Sequence, residues 1–588
     1  MGKPEKFTTL TAMFFAQAER HAAKKFIWNH YSKNWIGVSY AEVASQVNDL
    51  ASGLIARGVN KGDRVVVVLE NSLEWVVADL AIMAIGAISV PAFTSNTEDD
   101  HLHIFDDCGA IAVICSTRKL ADKVEGAAER SSTCRLMVMI EASQTIHQPT
   151  GLAIITWDRI MEDGRKYPSD IHVINKKVKP RDVACLIYTS GSDSVPKGVM
   201  LTHKSILHNV YGAYKRFQNL ITKDEVFLSV LPLSHAYEHT TGLYLPIYAG
   251  AEIYHLNTPD RLAQTLRDVR PTMMTTVPRL CELMHDRIRK SINMTAPMTQ
   301  RLIALTFKYE RTVQSGGQPS FWSRIIVSVA KPYIRRRINE VFGGRLKLMV
   351  SGGAALPPNV GRFFVALGLR LIQGYGQTEA SPVISVSPPE NNRIASVGLP
   401  LDGVRVKSSP SGEILIKGDL MMEGYWNNPK ETERVIKNGW LHTGDLGQID
   451  AEGFITITGR SKDIIVNSGG ENISPSRVEA RLTSQPNIQQ AMVDGDKRPW
   501  LAAVIVPSDD CVKSAQGRRD KIITNIQNDI DTANARLASS ERVRKFVIAE
   551  DGFTVDNKRM TQTLKLRRHI IRQDFRNQID RLYVSPLK

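Results

Sequence analysis

A loop rich in hydroxyl residues and glycine follows an apolar run near the first third of the chain. In YTSGSDSVPKGVMLTH the run ACLIY leads into Thr, Ser and Gly residues, and Lys197 follows them. Small hydroxyl residues and glycine allow backbone amides to surround a polyphosphate, and the lysine neutralises its charge. The loop does not end in the Gly-Lys-Ser/Thr of a Walker loop. The alternative is a Ser- and Gly-rich surface turn.

A second segment, LIQGYGQTEAS, combines features of a flat-ligand site with an acidic side chain. Gly374 and Gly376 flank Tyr375, so a flat ligand can approach the backbone while the ring stacks on a base. Glu379 supplies carboxylate oxygens suited to magnesium. The alternative is a strand-to-helix turn with Glu379 at a helix start, where a carboxylate is favourable anyway.

Three later segments add charged residues. WLHTGDLGQID places Asp445 in a Gly-flanked turn, which suits two ribose hydroxyls or a simple Asx-turn. GRSKDIIVNSGGENISPSRVE contains Arg460 and Lys462, and TQTLKLRR contains Lys565 near the C-terminus.

A pair of histidines in PLSHAYEH, His235 and His239, has the spacing of two zinc ligands on a helix. Pro232 and the lack of a third ligand argue against zinc. We therefore predict that the two histidines line a pocket or are hydrogen-bonded in a loop.

The elements that must position these residues follow from apolar patterning. Short apolar runs such as DRVVVVLE and LKLMVSGG alternate with helical stretches, which indicates an α/β architecture with mainly parallel sheets. After about residue 400, VRVKSSPSGEILIKG and GFITITGR alternate apolar and polar residues, as half-buried antiparallel strands do. A long polar helix is predicted from Cys511 to Ser540.

The predicted fold is therefore α/β in three parts: a large N-terminal body of mainly parallel sheets flanked by helices, a small β-barrel-like part, and a small mobile α+β C-terminal lid. The predicted boundaries are 1–459 for the body, 460–463 for a hinge and 464–588 for the lid. A lid of about 125 residues is a typical small-domain size.

The amino-acid composition limits the class of protein to which this chain can belong. The chain has 588 residues, of which 43% are hydrophobic and 23% charged, which excludes a disordered or fibrous protein. The net charge of +15 suggests anionic partners: nucleotides, an anionic membrane face or nucleic acid. The six cysteines lie mostly in apolar runs and indicate buried thiols of a reducing compartment. No signal peptide or transmembrane segment is predicted.

In this order and spacing, the five segments resemble the adenylate-forming superfamily, which comprises acyl-CoA synthetases, luciferases and nonribosomal adenylation domains. The resemblance covers nearly the whole chain. TVPRLCE, NEVFGGRLKLMVSGGAALPP and TLKLRR are similar to the long-chain fatty acyl-CoA synthetases, as is a basic, apolar insertion at about 284–340.

The resemblance implies a role for each matching position. Lys565, Glu379 and Lys197 would be catalytic, and Glu379 with Thr189 would hold Mg²⁺. The implied ATP- or AMP-binding residues are Thr189, Ser190, Gly191, Ser192, Lys197, Gly352, Gly353, Gly374, Tyr375, Gly376, Thr378, Asp445 and Arg460. Lys462 would be the hinge, and the residues assigned to an acyl or coenzyme A pocket are His235, Gly398, Gly469 and Gly470.

The implied reaction joins a long-chain fatty acid to coenzyme A. The carboxylate attacks the α-phosphorus of ATP to give acyl-AMP and pyrophosphate, and the thiol of coenzyme A then expels AMP. One alternative passes the acyl group to an acyl carrier protein. Another alternative is a non-catalytic acyl or nucleotide binder. It arises because Asp193 and Ser194 depart from the family's loop pattern, TSGTTGxPKG. Asp193 would place a carboxylate beside the triphosphate.

The predicted partners are a long-chain fatty acid, ATP and coenzyme A, with no nucleic acid, and the oligomeric state is left open, a homodimer included. The predicted location is cytoplasmic, with peripheral contact on the inner face of the membrane. That contact is suggested by FWSRIIVSVAKPYIRRRIN, which pairs apolar residues with positive charge. The alternative is a helix packed on the protein, and Pro332 is expected to break its period.

Overall fold

The computed structural model describes residues 5–31, 34–141, 151–189, 195–256, 261–293, 297–314, 317–561 and 565–584. Five positions of the predicted phosphate loop lie outside the described residues: Ser190, Gly191, Ser192, Asp193 and Ser194.

Sheet I has a parallel centre and an antiparallel edge, and its middle strand is the DRVVVVLE run. Val65 to Val68 of that strand are fully buried, as a β-branched run between helical layers should be. In spatial order its strands are Gly424–Tyr425, Lys197–Thr202, Val183–Thr189, Ile88–Pro91, Arg64–Val68, Ala112–Cys115, Leu136–Met139 and Ala153–Thr156. Lys197–Thr202 pairs antiparallel with both of its neighbours, and all the other pairings are parallel.

Sheet II is also parallel through its centre and antiparallel at both edges. In spatial order its strands are Leu399–Pro400, Val383–Val386, Leu371–Gly376, Leu348–Ser351, Met273–Thr276, Val226–Ser229, Glu252–His255, Lys25–Tyr31 and Asn34–Ser39. The α/β fold with mainly parallel sheets, predicted from the alternation of apolar runs and helices, is confirmed.

Helices cover these sheets, and several of them begin at a side-chain cap. Ser39 and Glu42 form a capping box, and the Thr202 side chain accepts a hydrogen bond from the Ser205 amide. The helices before residue 460 are Leu10–Arg20, Tyr40–Ala56, Leu73–Ala84, Glu98–Cys108, Arg118–Arg130, Trp157–Lys166, Ile171–Asn175, His203–Phe217, Ala236–Glu238, Leu245–Ala249, Leu262–Val269, Pro278–Asn293, Pro297–Gln314, Phe321–Val341, Pro358–Ala366 and Pro429–Val435. The π-helical turn His239–Tyr244 and the 3₁₀ turn Thr378–Ala380 complete this set.

The helix Phe321–Val341 runs without interruption past Pro332, so the predicted break is wrong. None of the helices in the described ranges is long and apolar enough to cross a bilayer.

Sheet III confirms the predicted change to antiparallel pairing after about residue 400. Its strands are Arg405–Ser408, Glu413–Lys417, Ile436–Lys437, Trp440–Ile449 and Ile455–Arg460. The strands Trp440–Ile449 and Ile455–Arg460 pair with each other, and this pairing places Asp445 directly opposite Arg460.

The C-terminal part has a two-stranded sheet, a three-stranded sheet and its own apolar clusters. Its strands are Ile465–Val466, Asn472–Ile473, Ile488–Asp494, Leu501–Pro507 and Val543–Ile548. Its helices are Pro475–Leu482, Asp509–Ser514, Arg519–Asn534, Arg568–Asp574 and Arg576–Val584, with a 3₁₀ turn at Ser539–Glu541. The single helix predicted from Cys511 to Ser540 is therefore wrong. Gly517 has a left-handed φ of 72° and separates two helices.

Candidate active site

A cavity of about 1020 Å³ opens at the carboxyl ends of parallel strands from both large sheets. Thr189 ends a strand of sheet I, and Gly352 follows a strand of sheet II. Ligands of open α/β sheets bind beyond the carboxyl ends of the strands. Most predicted site residues that the structure describes line this cavity: Thr189, Lys197, His235, Gly352, Gly353, Gly374, Tyr375, Gly376, Thr378, Glu379, Arg460, Lys462 and Lys565.

Asp445 is not among the residues that line the cavity, but it links two predicted residues that are. It is 5% exposed. One carboxylate oxygen accepts a hydrogen bond of 2.7 Å from the Tyr375 hydroxyl, and the other accepts one of 2.7 Å from Arg460 Nε. The negative charge of Asp445 raises the pKa of Arg460. Each carboxylate oxygen has a second lone pair, so the arrangement leaves acceptor capacity for ligand hydroxyls.

Lys197 is paired with a residue that the sequence analysis missed. Its Nζ lies 2.5 Å from Oε1 of Glu431, and Arg434 donates to both oxygens of the same carboxylate. The hydrogen bond from Arg434 and that from Lys197 lower the pKa of Glu431 to about 2. Glu431 sits in the first turn of the helix Pro429–Val435, more than 230 residues from Lys197 in sequence, so local patterns gave no signal.

Glu379 offers oxygen to the cavity from a 3₁₀ turn. Its Oε1 accepts a hydrogen bond of 2.8 Å from the Tyr425 hydroxyl. Thr189 contributes a hydroxyl to the same cavity. Mg²⁺ prefers hard oxygen ligands and is commonly held by one or two carboxylates plus substrate phosphates. The oxygens of Glu379 and Thr189 fit this mode of Mg²⁺ binding. Within the described ranges, no group of three or more His, Cys, Asp or Glu side chains could hold a metal ion without a substrate.

Lys565 reaches the cavity from the C-terminal part. Its backbone is fixed by hydrogen bonds with Thr561, one from the Lys565 amide to Oγ1 and one from the Thr561 amide to the Lys565 carbonyl. The residue keeps contact with solvent at the surface of the cleft. Loss of hydration and the charge of Arg460 together lower the pKa of the ammonium group to about 8, against the opposing charges of Asp445 and Glu379.

The two histidines occupy different environments. His235 lines the cavity, and its Nδ1 accepts a hydrogen bond of 3.2 Å from the Tyr237 amide. Burial and the neighbouring Lys565 lower the pKa of His235 to about 3, so the ring is neutral. His239 is fully buried, with Nε2 2.9 Å from Asp79. The prediction of pocket-lining or hydrogen-bonded residues is confirmed, although His239 lies in a π-helical turn instead of a loop.

Gly398, which the resemblance assigned to an acyl or coenzyme A pocket, lies outside the residues that line the cavity. Its φ is 87°, and a Cβ there would lie 2.1 Å from the Val386 carbonyl carbon. Backbone packing therefore explains the glycine. Gly469 and Gly470 also lie away from the cavity, in a turn where both backbone amides donate to Asn467.

An apolar branch of the cavity was also missed by the sequence analysis. It lies between the helix His203–Phe217 and sheet II, and its lining residues are Ala213, Phe217, Phe227, Leu245, Met273, Leu348, Val350, Val383 and Val386. They come from elements that are widely separated in sequence, so only the folded arrangement brings them together. The cavity thus joins a charged end to an apolar end.

Comparison with known proteins places this site in a family. The model of the AMP-binding enzyme family matches residues 14–426, and that of the AMP-binding enzyme C-terminal domain matches residues 462–586. The chain is 30% identical to the long-chain-fatty-acid–CoA ligase FadD15 of Mycobacterium tuberculosis, over 93% of this chain and 92% of the relative. It is 26% identical to the Arabidopsis thaliana long-chain-fatty-acid–[acyl-carrier-protein] ligase AEE15, over 97% of this chain and 86% of the relative.

Solved structures agree on the fold. The adenylation domain of a carboxylate reductase from Mycobacterium chelonae superposes with a TM-score of 0.79 at 20% identity, covering 99% of this chain and 92% of that domain. At that identity the match establishes the architecture alone.

Proposed function

Because the chain belongs to the AMP-binding enzyme family, we propose that it is an AMP-forming ligase that joins a long-chain fatty acid to coenzyme A. The observation that carries the proposal is the cavity that joins an apolar branch to Lys565, Glu379 and Arg460. A fatty acid in this cavity would bury its chain among the apolar residues and present its carboxylate to the charged end.

The chemistry requires the positive charge that lines the site. A carboxylate and a triphosphate repel each other when the carboxylate oxygen attacks the α-phosphorus. Lys565 and Lys197 would lower that repulsion and stabilise charge on the transferring phosphoryl group. Mg²⁺, when bound by Glu379 and Thr189, would neutralise further phosphate charge. In the second half-reaction the thiol attacks the acyl carbonyl and AMP leaves.

The proposal extends to the organisation of the chain. Residues 1–459 would form the body, 460–463 the hinge and 464–588 a mobile lid that carries Lys565. Once acyl-AMP has formed, Lys565 would obstruct the thiol, so a lid that rotates about Lys462 would expose a different face, including Gly469 and Gly470.

The principal alternative acceptor is an acyl carrier protein, and the similarity to AEE15 supports testing it. The deciding assay measures AMP and thioester formation across saturated acids of increasing length, with coenzyme A, with acyl carrier protein, and with neither. We expect thioester only with coenzyme A and a preference for long chains. Thioester only with the carrier protein would overturn the acceptor, and AMP formation only with short acids would overturn the substrate class.

A second experiment tests the role of Lys565. Lys565→Ala should slow acyl-AMP formation by about two orders of magnitude or more, as loss of a group that stabilises transition-state charge does. Thioester formation from supplied acyl-AMP should continue, and Lys558→Ala, which removes another lysine of the cavity wall, serves as the matched control. If Lys565→Ala slowed both half-reactions equally, the proposal that Lys565 acts only in acyl-AMP formation would be contradicted.

A further inference from the structure

The helix Phe321–Val341 presents apolar side chains to the core and to solvent at once. Val327 and Ala330 are buried against the protein. Other apolar residues of the same helix face solvent, and we call them the exposed stripe. Their exposed fractions are 70% for Phe321, 71% for Trp322, 42% for Ile325, 38% for Ile326 and 73% for Val329.

The spacing of the exposed stripe places it on one continuous face. At about 100° per residue, positions i, i+1, i+4, i+5 and i+8 span about 140° of the helix. Leu305, on the adjacent helix Pro297–Gln314, is 38% exposed. A contiguous apolar face of this kind marks an interaction surface more often than an isolated exposed residue does.

Positive charge flanks the exposed stripe. Residues 297–341 contain eight Lys or Arg and two Asp or Glu. Arg324 is exposed and lies about 60° to one side of the stripe by helical spacing. Arg336 follows Val329 by two helical turns on the same face and has an 85% exposed side chain, with the exposed Glu340 3.7 Å away. The surface is therefore apolar at its centre and cationic at its margin.

We propose that this surface docks on an anionic lipid membrane, with the exposed stripe at the boundary between headgroups and acyl chains and the arginines on lipid phosphates. Interfacial helices bind through this combination of apolar burial and attraction to anionic lipid. A nucleic acid would leave the aromatic and aliphatic side chains in water, and a second copy of the chain would bring like charges together. The argument rests on this surface and not on the proposed reaction.

The first test is co-sedimentation of the full chain with phosphatidylcholine vesicles, with and without phosphatidylglycerol, at low and high salt. Binding should rise with the anionic lipid and fall with salt. The triple variant Phe321→Ser, Trp322→Ser, Val329→Ser should bind at least tenfold more weakly. The control removes three exposed apolar residues elsewhere: Ile36→Ser, Tyr167→Ser and Val584→Ser, exposed by 52%, 56% and 84%. It should bind as the parent does.

The second test addresses charge and position. Arg324→Gln with Arg336→Gln should weaken binding about fivefold per residue, whereas Arg519→Gln with Arg576→Gln, two exposed arginines of the C-terminal part, should not. Brominated lipid should quench tryptophan fluorescence in the parent and less in Trp322→Phe, which keeps an aromatic ring and should still bind.

Three results would overturn the proposal: no binding by the parent, equal binding by the triple variant, or equal binding to neutral vesicles at all salt concentrations. A concentration-dependent dimer that the triple variant abolishes, without vesicle binding, would assign the surface to a second copy instead.

Discussion

The lowered pKa of Lys565 predicts a pH profile for acyl-AMP formation. Loss of hydration and Arg460 lower the pKa of its ammonium group to about 8. The charged form is the one that can stabilise the phosphoryl group, and it is present below pH 8 and lost above it. We therefore expect kcat/KM for ATP in acyl-AMP formation to fall about tenfold per pH unit above 8, because this ratio reports groups of the free enzyme.

The midpoint of that fall should respond to Arg460. Arg460→Gln removes a cation that lowers the pKa of Lys565, so the fall should move to higher pH even if overall activity drops. Arg518→Gln, an exposed arginine, should leave the midpoint unchanged. A flat profile across this range would show that Lys565 does not act in its charged form.

Glu431 holds the ammonium group of Lys197 that the proposed function assigns to the triphosphate, so its removal should strengthen ATP binding. The carboxylate holds Lys197 at 2.5 Å, so this contact must be exchanged when a triphosphate binds. Glu431→Gln should lower the KM for ATP about fivefold, which corresponds to about 1 kcal/mol. Glu433→Gln, on the exposed side of the same helix, is the control. A raised KM in Glu431→Gln would mean that the carboxylate positions Lys197 instead of competing for it.

At the scale of elements, substitution of Gly398 tests whether this glycine is required for backbone packing or for an acyl pocket. Gly398 precedes the edge strand Leu399–Pro400, with φ 87°, and a Cβ at this position would lie 2.1 Å from the Val386 backbone. Gly412 has a similar φ of 81° but nothing within 4 Å. Gly412→Ala should lower the free energy of unfolding by about 1 kcal/mol, from the left-handed conformation alone. Gly398→Ala should lower it by about 2 kcal/mol more, because the backbone must move.

Urea unfolding of both variants measures this difference, and the chain-length profile of each is the companion readout. If Gly398→Ala is as stable as Gly412→Ala but prefers different acids, Gly398 belongs to the acyl pocket after all.

The elements that could be predicted are those whose signal is local. The run around Arg64–Val68 contains its own β-branched pattern, and alternation after residue 400 indicated the antiparallel strands of sheet III. The break at Gly517 was missed because the polar pattern continues on both sides of it. The apolar branch and the Lys197–Glu431 pair depend on contacts between distant segments, and no local periodicity encodes them.

At the scale of the whole molecule, the cores on either side of the proposed hinge are separate. Residues such as Ile488, Leu501 and Val543 pack among themselves in the C-terminal part. The link to the body begins where Arg460 ends a strand of sheet III, and the Asp463 and Ile464 amides both donate to the Arg460 carbonyl. Lys462 lies at the centre of this turn and is exposed. A rotation of the C-terminal part about this point would disturb few core contacts.

If the lid rotates about residue 462, a stiffer backbone there should impair thioester formation but not acyl-AMP formation. Proline fixes φ near −65° and also restricts the preceding residue, here Ser461. If acyl-AMP forms in the arrangement seen here, with Lys565 in the cavity, Lys462→Pro should retain acyl-AMP formation. Thioester formation from supplied acyl-AMP should fall by about tenfold or more, because the lid must turn for the thiol to enter. Lys462→Ala removes the same side chain but keeps backbone freedom, so it should retain both steps. Lys462→Pro with both half-reactions intact would exclude rotation at this residue, and unchanged ATP binding by the variant would show that it is folded.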